Sequence, residues 1–314
     1  MNKACFIVPF FGKFPNYFDL FLKSIEMNPE FDWLFFTDDT NYSFPDNAKV
    51  YEMSFEEVKA LIQLKFDFKI TLDTPYKLCD YKCAYGYIFR EYVLNYGFWG
   101  YCDVDLVFGR IGKFIQDDDY TKYDKIGHLG HFSLYRNSPE INKIFMSDHS
   151  YKTVFTNSQN FIFDEWHEHS INRILLKKNK SINYLNSWAD VYPYSSYFNL
   201  VRLDIESNKY ITENKVKLFK WDNGRIFSIG AGNSEEFMYV HFQKRPMEYH
   251  FLKDADVFYC VPDQFLCEAE WNEKKCYRES VIRKLFDSKL IKHKFKVIKY
   301  NAKESIANIV RGKK

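Results

Sequence analysis

The chain has no apolar run near the ~18–20 residues that a membrane-spanning helix needs. Its apolar start, Met1 to Phe11, lacks a basic leading region and a small-residue cleavage site, so it is expected to be a first strand, not a secretion signal. Cysteines are few: seven, an odd number, at irregular spacings. That argues against a disulfide framework or a zinc site and for reduced thiols in a cytoplasm. Neither an internal repeat nor a low-complexity segment is present, and no nucleic-acid motif is recognised, so no nucleic-acid partner is expected. Net charge is also small, at +2, but it is unevenly spread. From Val281 to the end there are 11 Lys and Arg against 2 Asp and Glu, a net of +9, so the preceding residues carry −7. A mildly acidic body thus bears a strongly basic tail. Such tails meet an anionic surface, or are merely a solvated helical face.

What is present is core material. The 314 residues are 46% hydrophobic and 27% charged, which suits one large α/β domain with an appendage, or two modest domains. Aromatics reach 20%, with 32 Phe and 24 Tyr. Most must be buried, with some left to line a cleft. Ala4–Phe11 is a continuous apolar run ending at Gly12, as in a buried parallel strand entering a loop. Tyr17–Met27 has helical spacing. Trp33–Thr37 reads as a strand stopped by Asp38 and Asp39, and Lys49–Met53 as a third. Phe55–Leu64 reads as a helix with Ser54 as its cap. Tyr76–Tyr96 reads as mostly helical, Phe98–Phe108 as one strand, Lys125–Tyr135 as another, and Tyr239–Phe242 as a short one. This alternation predicts a mixed, mainly parallel sheet flanked by helices, with a basic C-terminal helical extension. A boundary near residue 260, from the charge shift and Pro262, divides the chain into a body over 1–260 and an extension over 261–314.

The chemistry centres on Asp103-Val104-Asp105. Inside a strand, two carboxylates one residue apart share a face. Buried together they repel, and a hard divalent ion completed by phosphate oxygens would compensate them. A buried ion pair or hydrogen-bonded cluster is the bland alternative. Asp117/Asp119 and Asp254/Asp256 share the spacing, but they lie in a polar run and at the mouth of a strand, where charge is tolerated. A second acidic cluster, Asp164 and Glu165, stands beside His167 and His169 in FIFDEWHEH. It is either functional or the acidic first turn of a helix. A separate zinc site there lacks a recognised spacing.

The order VPFFG, FFTDD, YKLCDYKCAYGYIF and GYCDVDLVFGRI resembles the GT-A (Rossmann-like) class of nucleotide-sugar glycosyltransferases. Together with IGHLGHFSLYRN, FDEWH and YVHFQKRPM, it most resembles a bacterial family catalogued as of unknown function, associated with capsule and O-antigen gene clusters. The resemblance covers roughly residues 1–250. It implies that Pro9, Phe10, Phe11 and Gly12 border the nucleoside and that Asp38 or Asp39 contacts uridine or ribose. It also implies that Lys77, Asp80 and Lys82 lie near the paired acids, with lysine offsetting diphosphate charge. Asp103 and Asp105 would bind Mn²⁺ or Mg²⁺, and the metal the diphosphate. By similarity to glycogenin-like enzymes His241 is a third ligand, with Lys244 and Arg245 available to the leaving phosphate; a core histidine is the alternative reading. Glu165 or Asp164 would serve as general base toward the acceptor or only bind its hydroxyls. Trp166, Trp188, Tyr192, Tyr194 and Tyr197 would stack on sugars or pack in the core.

The function implied is metal-dependent transfer of a hexose from a nucleotide-sugar, by default a UDP-hexose, to a glycan or lipid-linked saccharide acceptor in surface polysaccharide synthesis. A metal-dependent nucleotide-sugar hydrolase or phosphoesterase, or a non-catalytic carbohydrate-binding protein, are the alternatives. The expected location is cytoplasmic. The basic tail would provide peripheral contact with the inner face of the membrane, or else dock on the body.

Overall fold

The computed structural model describes residues 3–165, 170–204, 209–230, 234–250, 252 and 254–311, with 300–311 as backbone only. The chain forms two compact units. The first comprises Met1–Trp188, Asn223–Arg225 and Phe237–His241. The second comprises Ala189–Asp222, Ile226–Glu236 and Phe242–Lys314. This division does not coincide with the charge shift near residue 260. Charge marks a change in surface, whereas compact units follow buried apolar contacts.

The first unit is built on a seven-stranded sheet. Its strands are β1 (Ala4–Phe10), β2 (Phe31–Thr37), β3 (Ala48–Glu52), β4 (Phe98–Cys102), β6 (Lys125–Leu129), β7 (Phe132–Arg136) and β8 (Ile182–Asn183); β5 (Leu106–Phe108) lies in a separate sheet. The order is β3-β2-β1-β4-β7-β6-β8. All neighbours run parallel except β4–β7 and β6–β7. The sheet is therefore mostly parallel in a mixed α/β unit, as the alternation of elements predicts.

Both faces of the sheet are covered, which is why β1 and β2 are apolar without alternation. Helix α1 (Phe18–Glu26) turns Phe18 and Phe21 onto Phe35. On the other face Phe36 meets Phe89, with ring centroids 4.4 Å apart. Helix α2 (Phe55–Gln63) starts at a capping box in which Ser54 and Glu57 satisfy each other's backbone N–H. Most of the aromatic excess is core. Trp99 stacks on Tyr135 at 4.6 Å, and Tyr81 on Phe155 at 4.1 Å.

Three expected elements differ. Tyr76–Tyr96 is a 3₁₀ segment, Pro75–Ala84, followed by two single-turn helices. At three residues per turn, Lys77 and Asp80 stack one above the other, and both bond outward to the 159–163 segment. Lys125–Tyr135 is a hairpin, not one strand: Gly127, at φ +83°, lies in an irregular register before the turn at Gly130. Phe98–Phe108 is broken into β4 and β5 by a turn at Asp103–Asp105. The acids do not share a strand face; the chain turns where their charge would otherwise enter the sheet interior.

The second unit centres on antiparallel strands Leu218–Asp222, Val257–Val261 and Gln264–Cys267. Helix Glu273–Leu285 buries Cys276 against Leu218, Tyr259, Val261 and Leu266. Its C-terminus is tied down by Arg283 to Asp263, by Lys284 to the Asn214 carbonyl, and by the Asp287 carboxylate, which accepts from Ser196 N–H. A final helix spans Ser288–Arg311. Among the described residues no helix is long and apolar enough to cross a membrane.

Candidate metal centre

Strands β1, β2 and β4 are parallel and adjacent, so their C-terminal ends share one sheet edge. Strands β2 and β3 extend from β1 to one side, and β4, β7, β6 and β8 to the other. Open α/β sheets bind ligands outside the strand ends at such a switch point. Here the edge carries Pro9 and Phe10 at the end of β1 with Phe11 and Gly12 just beyond it, Asp38 and Asp39 after β2, and Asp103 after β4. Gly12, at φ +87°, adopts a backbone that other residues resist, and its N–H donates to the Asp38 carboxylate at 2.9 Å. Phe10 stacks on Phe14 at 4.4 Å and Phe11 meets Phe55 edge-on, so the loop is anchored by its own rings. Asp39 accepts from Asn41.

The turn after β4 is held by Asp103 N–H, which donates to the His131 carbonyl at 3.0 Å. Strand β5 then pairs antiparallel with Tyr239–His241, setting His241 opposite Leu106. His241 Nε2 comes to 3.3 Å from Asp105 Oδ1 and 3.8 Å from Asp103 Oδ2. One ligand atom from each of the three residues lies within 4.8 Å of the others. Asp105 and His241 are buried, and Asp103 is half-buried. Mg²⁺ bonds oxygen at about 2.1 Å, which puts neighbouring octahedral ligands about 3 Å apart. The three atoms are close enough to share one such ion after small movements. Asp103 divides its carboxylate: Oδ1 accepts from Lys82 Nζ at 2.6 Å, leaving Oδ2 on the His241 side. Lys82 compensates only one of the two carboxylates, and two carboxylate oxygens converging with an imidazole nitrogen form a donor set that fits a divalent metal.

Lys82 links this centre to the second acidic cluster. Its ammonium donates to the Gly130 carbonyl at 2.8 Å and lies 3.6 Å from Asp164 Oδ2. Burial alone would lower its pKa, but Asp103 and Asp164 hold it well above the usual lysine value. Asp164 is pushed up to about 7, chiefly by burial, with Lys82 opposing and Glu165 and Asp103 adding. Glu165 Oε1 accepts from Gly130 N–H at 3.2 Å. A Cβ at Gly130 would stand 2.5 Å from Asp164 Oδ2 and 2.9 Å from Glu165 Cγ, so only glycine allows this approach. Asp103, Asp105, His241, Lys82, Asp164 and Glu165 are thus brought together in the first unit.

The remaining nominated residues have partners of their own. Asp80 is fully buried; its carboxylate accepts from Phe161 and Phe163 N–H and pairs with Lys77 at 2.7 Å, while Lys77 also bonds the Gln159 carbonyl. This pair braces the segment that leads to Asp164 and Glu165. Lys244 and Arg245 belong to the second unit. The Arg245 guanidinium donates to the Tyr192 and Ser195 carbonyls at 3.1 and 2.8 Å. Trp188 and Tyr197 are buried, and Tyr194 stacks on His293. Trp166, His167 and His169 lie outside the described residues. Asp117 and Asp119 sit in a solvated helix start, paired with Lys3 and in a capping box respectively.

Four contributors had no role in the sequence reading. His131 holds the Asp103 turn by its carbonyl and packs its ring 4.6 Å from that of His241. Gly130 permits the acidic approach. Asn172 donates to the His128 carbonyl at 2.7 Å and to that of Glu165 at 3.3 Å. Lys125 Nζ, wholly buried, donates to Asn172 Oδ1 at 2.6 Å. Standing at the first position of its strand, Lys125 gives no charge anomaly in the sequence, and only the fold reveals it as a buried, partnered lysine.

Lys125 also yields a pH test. Burial lowers its pKa to about 7, against the opposing pull of Asp164, Cys83 and Glu165. A lysine lowered on folding destabilises fully below its folded pKa, and the cost fades as pH rises toward the unfolded value. Lys125→Met should therefore gain most in thermal stability, relative to the parent, near pH 6 and less near pH 9. An offset that is flat across that range would refute the buried-amine account.

A family model matches residues 6–269, and the chain accordingly belongs to the family of unknown function DUF6625. The matched span takes in every nominated residue from Pro9 to Arg245 and stops short of the two C-terminal helices. No curated protein matches the chain.

Proposed function

We propose that the protein is a metal-dependent glycosyltransferase of the GT-A class, acting on a nucleotide-sugar, with a UDP-hexose as the first donor to test. The observation that carries this reading is the convergence of Asp103, Asp105 and His241 after strand β4, beside the switch point of a mostly parallel sheet. Mn²⁺ or Mg²⁺ held by those three side chains would supply positive charge to a departing diphosphate. Lys82, kept protonated by its two acidic neighbours, adds a second positive charge at the same place. The Pro9–Gly12 loop and Asp38 border the nucleoside. Glu165 or Asp164 takes the proton of the acceptor hydroxyl, the acceptor being a glycan or a lipid-linked saccharide.

The direct experiment is a panel of nucleotide-sugars assayed for Mn²⁺-dependent thermal stabilisation, followed by transfer with saccharide acceptors. Selective stabilisation by one donor, and turnover that requires an acceptor, support the proposal. Rapid turnover with water alone would make the protein a nucleotide-sugar hydrolase. No metal-dependent response to any nucleotide would leave a carbohydrate-binding role.

His241→Ala should weaken Mn²⁺ and nucleoside diphosphate binding together, and in the parent both should weaken on acidification, because an imidazolium cannot ligate. Loss of stability alone, with metal affinity unchanged, would return His241 to the core.

A further inference from the structure

The last two helices present an apolar surface that the fold leaves uncovered. Leu285, Phe286, Ile291, Phe295 and Ile298 are all more than half exposed. At 3.6 residues per turn, Ile291, Phe295 and Ile298 fall within about 60° of one another on the Ser288–Arg311 helix. The opposite side is occupied: His293 stacks on Tyr194 with centroids 3.6 Å apart, and Leu290 and His293 are half-buried. The stripe therefore points away from the second unit's own packing.

Its surroundings are basic. Ser288–Lys299 contains Lys289, Lys292, Lys294, Lys296 and Lys299 and no carboxylate, and all five lysines are exposed. Lys292 and Lys299 flank the stripe on one side and Lys294 on the other. A protein partner could cover the apolar residues, but five lysines interspersed among them with no carboxylate ask for a surface that is apolar below and anionic above. A bilayer interface rich in anionic headgroups has that profile. The helix is too polar to span the bilayer, so it would lie in the headgroup plane.

We infer that the Ser288–Arg311 helix, with Leu285 and Phe286 at its entrance, docks the protein reversibly on an anionic phospholipid bilayer. The inference is independent of the reaction proposed above, because its assay reads no turnover.

The test is sedimentation of the full chain with phosphatidylcholine vesicles, with and without phosphatidylglycerol, at low and high salt. Binding should be at least tenfold stronger with phosphatidylglycerol and should weaken as salt rises. Each lysine contributes about fivefold, so Lys292→Gln, Lys294→Gln and Lys299→Gln together should cost about 100-fold. Ile291→Ser, Phe295→Ser and Ile298→Ser together should cost at least about tenfold even at low salt. Both triple variants change exposed side chains, and circular dichroism with an unchanged melting temperature would confirm that they fold. Equal binding to neutral and anionic vesicles, or full binding by either variant, overturns the inference. So does a parent that is dimeric in light scattering and becomes monomeric in the serine variant, since a second copy would then cover the stripe.

Discussion

Asp105→Asn should abolish metal-dependent nucleotide binding while leaving the fold intact. The side chain is buried in the turn between β4 and β5, 3.3 Å from His241 Nε2. Asparagine keeps the shape but not the charge, and a hard divalent cation is held mainly by charge. If the affinity falls about 100-fold, the effect is large. Ligand at 100 times its Kd stabilises by about 2.7 kcal/mol; at the same concentration the variant would retain only about 0.4 kcal/mol. The metal-free variant should be as stable as the parent or more so, because the repulsion from Asp103 is relieved. Asp103→Asn is the less clean probe. Asp103 also accepts from Lys82, and its loss would leave that ammonium to Asp164 at 3.6 Å and the Gly130 carbonyl. A thermal shift with Mn²⁺ and UDP that is unchanged in Asp105→Asn would move the metal elsewhere.

The sheet was legible because its central strands are buried on both faces. Ala4–Phe11 and Trp33–Thr37 are apolar without alternation, and the structure makes them neighbouring parallel strands. Ser54 was legible as a cap because its chemistry is local. The pairing of Asp103 and Asp105 was legible as a charge anomaly, but its geometry was not. Whether FWGYCDVDLVF continues as one strand depends on β4 pairing with β7 and β5 pairing with the Tyr239–His241 strand, partners about 30 and 130 residues away in sequence. Periodicity carries no such information. The same applies to Lys77 and Asp80. The resemblance implies only that they lie near the paired acids, and it takes the fold to reveal that they also bond the 159–163 backbone. The bonds from the Arg245 guanidinium to the Tyr192 and Ser195 carbonyls were likewise not legible in the sequence. Gly130 and Asn172 were illegible because their roles lie in what they allow others to do.

Glu165→Gln should lower turnover by roughly 10²–10⁴-fold with donor binding largely preserved. The substitution is conservative at this position: Glu165 Oε1 accepts from Gly130 N–H, and a glutamine oxygen can accept the same bond. What is lost is the capacity to take a proton. The neighbouring Asp164 separates two mechanisms. Burial raises its carboxyl to about 7, and Lys82 lies 3.6 Å away, so this group also titrates where a base is effective. If Asp164 accepts the proton, the parent rate should rise with pH through about 7, and Glu165→Gln should keep that profile at near-parent rate. If Glu165 accepts it, the variant loses turnover across the whole range while Asp164→Asn loses mainly stability and Lys82 positioning. Measuring kcat and KM for both variants against pH distinguishes the two. A Glu165→Gln variant with a raised donor KM and intact kcat would place Glu165 against the donor instead. Intact values of both constants would leave Glu165 as support for the Gly130 turn.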